Sequence, residues 1–522
     1  MPTTTRRRFL KLSAGSAALG LTDLTTLAGL RAFADEKAPV PATVRFGPEI
    51  EPIVRLIEET PRADCVRILI EQLQKGLPYR RLLAGVFFAG IRRLNSYHDV
   101  YKIQPVHQVS TQLRPEERLL PLFWAVDGFK TRQQDWPNGP LTELIGTLPA
   151  STEAAAELSA ALDTADLETV ERALVVLARN RGMEEAREQL WLYGCRNGGA
   201  GGHGAIAAAS CFRALETIGG EHAEPVLRIV LRDVSALGGK GKPDQYFLPN
   251  AARADRHLAN LPRGWGDRQT NRAATLELFG LLREGKADQA CELAVQQLLA
   301  GVGAHAIWDA VHLATAELMV RHESGWGVAS RPLHSNTSTE ALRHASRAST
   351  SMRTRLLALL QAVAWAGDKT ASELQAKSLR DIQILQLPSA DLPADSAEAV
   401  TDIFSLVPPR HYDWDAQNRR AVTTYGNRAD ADEACRKIFT LTRERPAARP
   451  LYIEAALSWM CRKSSSDPHE YKFLAAILDE AQTASREWQP HLLAASVHFL
   501  HGKQSPDYPA VKQAREALQR NG

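Results

Sequence analysis

This chain predicts an all-α fold, an irregular array or stacked bundle of antiparallel helix pairs, on three observations. Nearly every segment with a clear hydrophobic period repeats at the helical spacing. Ala, Leu, Glu, Arg and Gln, strong helix formers, dominate the composition. Alternating β-branched runs bounded by turn residues are nearly absent.

The first 34 residues stand apart from that pattern. Thr5-Arg6-Arg7-Arg8-Phe9-Leu10-Lys11 precedes a mildly apolar run, Leu12 to Leu30, and the small-x-small site Ala32-Phe33-Ala34. This order resembles a twin-arginine export signal, which implies the twin-arginine export machinery as partner and a periplasmic or otherwise exported destination. Ser, Thr, Gly and Asp23 make the run too polar for a stable membrane span, which needs roughly 20 predominantly apolar residues. Signals of this kind carry folded proteins, often already loaded with a cofactor.

Cleavage after Ala34 would remove five basic residues (Arg6, Arg7, Arg8, Lys11 and Arg31) and one acidic residue (Asp23). The formal net charge then falls from +3 to −1. A near-neutral mature chain without a basic run gives no electrostatic basis for binding nucleic acid or an anionic membrane. The six cysteines have no CxxC, CxxCH or zinc-finger spacing, so covalent haem and thiolate zinc are disfavoured and buried free thiols are expected.

Helical periodicity is clearest at Val66–Leu73, Leu82–Ile91 and Thr169–Asn180. Phe212 to Gly220 followed by Glu221 to Arg228, with Pro225, reads as helix, glycine turn and proline-started helix, HEAT-like in places. No fixed period recurs three times, so the array is irregular. Breaks at Gly238–Asp244 and Leu387–Asp395 divide the chain into 1–34 (signal), 35–245 (N-terminal helical), 246–390 (His-rich helical) and 391–522 (C-terminal helical).

The His-rich middle carries the candidate chemistry. On one helix, His305, Asp309 and His312 fall within about 60° of arc, a candidate metal triad whose mixed ligation suits iron, zinc or manganese alike. The outer pair lie about 10 Å apart along the axis, so a dinuclear or Asp309-bridged site fits that geometry better than one small ion. Thr337 and Glu340 form a capping-box pattern, which predicts a helix starting there beside His334, with His344 two turns in. His334 and His344 are the candidate catalytic acid/base groups. The glycine-dense turn Asn197 to Ala205 holds His203, a candidate cofactor contact, although the preceding Glu188–Tyr193 segment is helical where a dinucleotide fingerprint needs a strand. For each of these residues, buried polar packing between helices is the competing interpretation. The spacing of His98 and His107, and the C-terminal His491, His498 and His501, favours packing.

The helix with His305 and His312, followed by the Leu333 to Arg343 segment, is distantly similar to questin oxidase-like proteins. That resemblance covers about a tenth of the chain. It implies an all-helical oxidoreductase that inserts oxygen in Baeyer–Villiger fashion into a small organic substrate, aromatic or polyketide-like, with a nicotinamide cofactor. The alternative from a different class is a non-enzymatic helical-repeat scaffold that binds another exported protein.

Overall fold

A computed structural model describes residues 42–520 apart from 94–99, 136–140, 145, 165, 182, 238–241, 267–269, 323–330, 416–419 and 426–427. The signal-like segment, His98 and part of the Gly238–Asp244 break lie outside the described residues. From Thr43 onward the chain is one compact unit.

In chain order the helices begin with α1 (Glu51–Glu59), α2 (Arg62–Gln74), α3 (Tyr79–Arg93), α4 (Ile103–Gln112), α5 (Leu120–Asp135), α6 (Ala154–Thr164), α7 (Leu167–Arg181) and α8 (Met183–Gly194). A 3-10 turn at Gly199–Gly202 leads into α9 (His203–Ile218), then α10 (Ala223–Leu237), α11 (Phe247–His257), α12 (Arg272–Arg283) and α13 (Ala287–Leu299). Next come α14 (Ala304–Arg321), α15 (Arg331–Ala348), α16 (Met352–Gln375) and α17 (Ser396–Leu406). The chain ends with α18 (Arg428–Glu444), α19 (Arg449–Lys463), α20 (Pro468–Thr483), α21 (Gln489–Ala495) and α22 (Pro509–Arg520). The all-α expectation therefore holds. One antiparallel hairpin, β1 (Arg410–Asp415) with β2 (Arg420–Tyr425), was not foreseen; its register pairs Arg410 with Tyr425 and Asp415 with Arg420. Tyr412, Trp414, Val422, Thr423 and Thr424 are strand formers, but two short runs are too few to outweigh the helical pattern around them.

Packing radiates from α15, which touches α9, α14, α16 and α20 together with the Gly199–Gly202 turn. These contacts cross the break near residue 245, and α20 lies beyond the one near residue 390. Being surrounded, α15 buries residues on every side, among them the polar run Ser335, Asn336, Thr337, Ser338 and Thr339. A helix that is polar and buried all round is not held in place by an apolar stripe, so its hydrogen bonds must substitute. Its start also differs from expectation. The helix begins at Arg331, not at Thr337: Thr337 Oγ1 donates to Leu333 O one turn back, and Glu340 pairs across to Arg213 on α9. Pro332 is tolerated in the first turn because the amide it lacks would have had no partner there.

Helices α13 and α16 approach closely at Gly367, where a Cβ would stand 2.8 Å from the Ala287 Cα and 3.1 Å from its amide nitrogen. Helix propensity alone would make Gly367→Ala stabilising by about 1 kcal/mol, whereas overpacking against a backbone costs about 1–3 kcal/mol. Steric overlap wins. Gly367→Ala should lower the urea midpoint with an unchanged m-value, and a raised midpoint would contradict this packing.

Candidate functional site

Three histidines from three separate segments meet beside the glycine turn. His203 is the first residue of α9, His334 lies in the first turn of α15, and His469 is the second residue of α20. The His203 and His334 ring centroids are 4.7 Å apart, and His334 stands edge-on to His469 at 5.2 Å. All three sit where their helices begin, and the helices run away from that point in the same direction. The partial positive charge of helix starts disfavours further positive charge on the rings.

Each ring is placed by local chemistry. Gly201 and Gly202 adopt φ +75° and +74°, and a Cβ on Gly201 would come within 2.6 Å of the His334 ring. Only glycine takes this conformation without strain, and only glycine leaves room for α15. At α20, Asp467 is the N-cap, accepting from the His469 amide at 2.9 Å, with Pro468 following at the first helical position. The same Asp467 oxygen lies 2.6 Å from His469 Nδ1. This contact assigns the proton to Nδ1 and the lone pair to Nε2. Burial holds His469 below the ordinary imidazole value, Lys472 adds to that, and Asp467 works against it.

Lys369 of α16 forms the other wall. Its Nζ donates to the His334 carbonyl at 3.2 Å and to Ser338 Oγ at 2.8 Å, and lies 5.6 Å from the Trp365 ring centroid. Burial brings its ammonium down to about 7, with Asp368 and Asp244 opposing. Trp365 donates to Asp244 Oδ2 at 2.7 Å, and the Gly198 amide donates to the same oxygen at 2.8 Å. Trp365, Ser338 and His334 thus fill the space against the glycine turn. A dinucleotide cradle does not fit there. The glycine-dense stretch is a tight turn that delivers His203 to the histidine cluster.

The proposed metal triad is not assembled. His305, Asp309 and His312 share α14, every residue of which is buried. Both Asp309 oxygens, however, are held by Ser485: the amide donates to Oδ1 at 3.0 Å and the hydroxyl to Oδ2. His305 Nε2 is 3.2 Å from the same hydroxyl and 3.8 Å from Asp309 Oδ2. Burial raises the Asp309 carboxyl, while Ser485 and His305 oppose the rise. At His312 the Arg343 guanidinium donates to Nε2 at 2.9 Å, which puts the proton on Nδ1, 3.2 Å from Glu480 Oε1. Arginine has no lone pair to offer, so this imidazole is neutral and its free electron pair is already used. Burial, with Arg343 and His305, holds His312 well below its ordinary value. A metal ion there would face a guanidinium. Among the described residues no group of three or more His, Cys, Asp or Glu side chains is arranged to hold an ion.

His344 does not join the cluster. It lies ten residues beyond His334 on the same helix, about 15 Å along the axis, edge-on to Trp191 at 5.6 Å. His322 pairs with Glu373 at 3.1 Å, and His107 with the Tyr79 hydroxyl at 3.2 Å. The C-terminal histidines pack as expected: His491 against Phe439, His501 against Glu470, and His498 beside Arg428. All six cysteines are buried and free. Residues that the sequence did not single out are His469, Asp467 and Lys369; the Asp-Pro-His order at a helix start was the available signal for the first two. Between the cluster and His344 lies a cavity of about 20 Å³, lined in part by Gln104, Gln108, Ser210, Thr337 and Lys472, with room for about one water.

No protein-family model, curated protein or solved structure matches the chain. Among the described residues, no helix is long and apolar enough to cross a membrane.

Lys369 gives the interior a pH signature. Above its ordinary value of 10.5 both folded and unfolded states carry a neutral amine; between 10.5 and about 7 only the unfolded state is protonated. Stability should therefore fall as pH drops through that window and level off below it. Urea unfolding of the protein and of Lys369→Met across this range should show the slope in the former and its loss in the latter. Parallel profiles would contradict the assignment.

Proposed function

We propose that this protein is an exported enzyme whose interior site is the cluster of His203, His334 and His469 with Asp467 and Lys369, and that it works by acid–base chemistry on a small organic substrate. The observation that carries the reading is the convergence of three helix starts on three imidazoles beside a lysine with a depressed pKa. Buried ionisable groups with shifted proton affinities cluster at functional sites. His469, with its Nδ1 proton held by Asp467, is placed to accept a proton at Nε2. Lys369, which burial brings down to about 7, is a second group in the cluster that can exchange a proton near neutral pH. Ser335 Oγ and Asn336 Oδ1, both buried and without a hydrogen-bond partner among the described residues, add acceptors on the same helix.

The reaction class comes from the resemblance in Leu333 to Arg343 to questin oxidase-like proteins. It is oxygenation of an aromatic, polyketide-like ketone, one oxygen atom entering beside the carbonyl and the other leaving as water, with two electrons from a reductant. No step is assigned to a metal or a dinucleotide held by the chain, because neither fits the residues described above. The twin-arginine-like N-terminus supports export.

Oxygen uptake by the purified full-length protein, with a panel of aromatic, polyketide-like ketones and either reduced nicotinamide or a dye donor, tests this directly. Turnover is expected, with kcat reduced about 10²–10⁴-fold in His334→Ala and His469→Ala and unchanged in His491→Ala. Equal turnover in all variants, or none by the parent protein, would contradict the proposal.

A further inference from the structure

A second feature lies at the other end of the same three helices. A groove of about 280 Å³ opens between α9, α15 and α20, lined by Arg213, Arg343, His344 and Arg347 with Glu340 and Asp479. We propose that this groove binds the oxyanion of a small ligand, a carboxylate or a phosphate, at a site separate from the histidine cluster.

Three guanidiniums converge there against two carboxylates. Glu340 is committed to Arg213, and burial raises its carboxyl, which lessens the negative charge it contributes. Arg343 is anchored by His312 and Thr483, which leaves its Nε buried without a hydrogen-bond partner. His344 Nε2 is likewise buried and without a partner. Burial, together with Arg213, Arg187 and Arg347, keeps His344 neutral, down to about 3. A neutral imidazole can take the tautomer that donates from Nε2, so it can serve an anion without adding charge. Arg347 is exposed and makes no ion pair among the described residues. The groove therefore combines a surplus of positive charge, a fork that matches a planar or tetrahedral oxyanion, and two buried nitrogens with unused hydrogen-bonding capacity. Arg343 also joins the groove floor to the buried His312–Glu480 pair.

Calorimetric titration with inorganic phosphate and, separately, with acetate, each at ionic strength matched with sodium chloride, tests the proposal without reference to activity. Saturable binding of one or both is expected, and the tighter of the two identifies the group. Arg347→Ala, a change at an exposed position, should weaken it about tenfold. Asp479→Asn should tighten it severalfold by removing an opposing charge. Binding that is absent, that chloride reproduces at matched ionic strength, or that neither variant changes would overturn the proposal.

Discussion

The arrangement of the interior depends on a place where side chains are missing. Gly201 and Gly202 hold the backbone at positive φ and let the turn before α9 lie directly against His334, Ser338 and Trp365. A Cβ at Gly202 would come within 2.7 Å of Ser338 Cβ and 3.0 Å of Trp365. Any other residue would push α9 away from α15 and α16. His203 would then leave His334, and the Gly198 amide would lose the Asp244 oxygen it shares with Trp365. One turn thus sets the spacing of three helices.

The central helix is stabilised in an unusual way. Ser335 to Thr339 bury hydroxyls and an amide where a bundle of this size would ordinarily place Leu or Ala. Each such group costs free energy unless it is paired; Thr337 and Ser338 bond locally to Leu333 and Ser335 carbonyls, and longer-range bonds join Asn336 to Glu480 at 2.7 Å, Lys369 to Ser338, and Arg343 to His312. Breaking one partner would leave a buried charge or dipole exposed to low dielectric, which costs more than the bond itself contributes. Apolar packing from α14, α16 and the residues around Leu333, Ala341 and Leu342 offsets that expense. Polar interiors maintained at such cost are where function is to be sought.

The helical architecture was legible from periodicity and composition, because each helix writes its own pattern. His305, Asp309 and His312 do share one face of a helix that is buried all round, as their spacing requires. What spacing could not supply was the opposite wall: Arg343 arrives from a distant segment and uses the His312 lone pair, and Ser485 bonds both Asp309 oxygens. His334 and His203 were identified individually, yet their partner His469 was not, since it stands alone in sequence and its significance comes only from where α20 begins. The Thr337–Glu340 pattern misled for a similar reason. The same letters that cap a helix also occur inside one, when Glu340 answers an arginine on a neighbouring helix.

The claim that His203, His334 and His469 form one unit is most directly tested by a double-mutant cycle on stability. His334→Ala and His469→Ala are measured singly and together by urea unfolding at neutral pH. Rings in contact predict a coupling energy of about 0.5–3 kcal/mol. Additivity to within about 0.3–0.5 kcal/mol would mean that the two side chains do not meet, and the site as described would not exist.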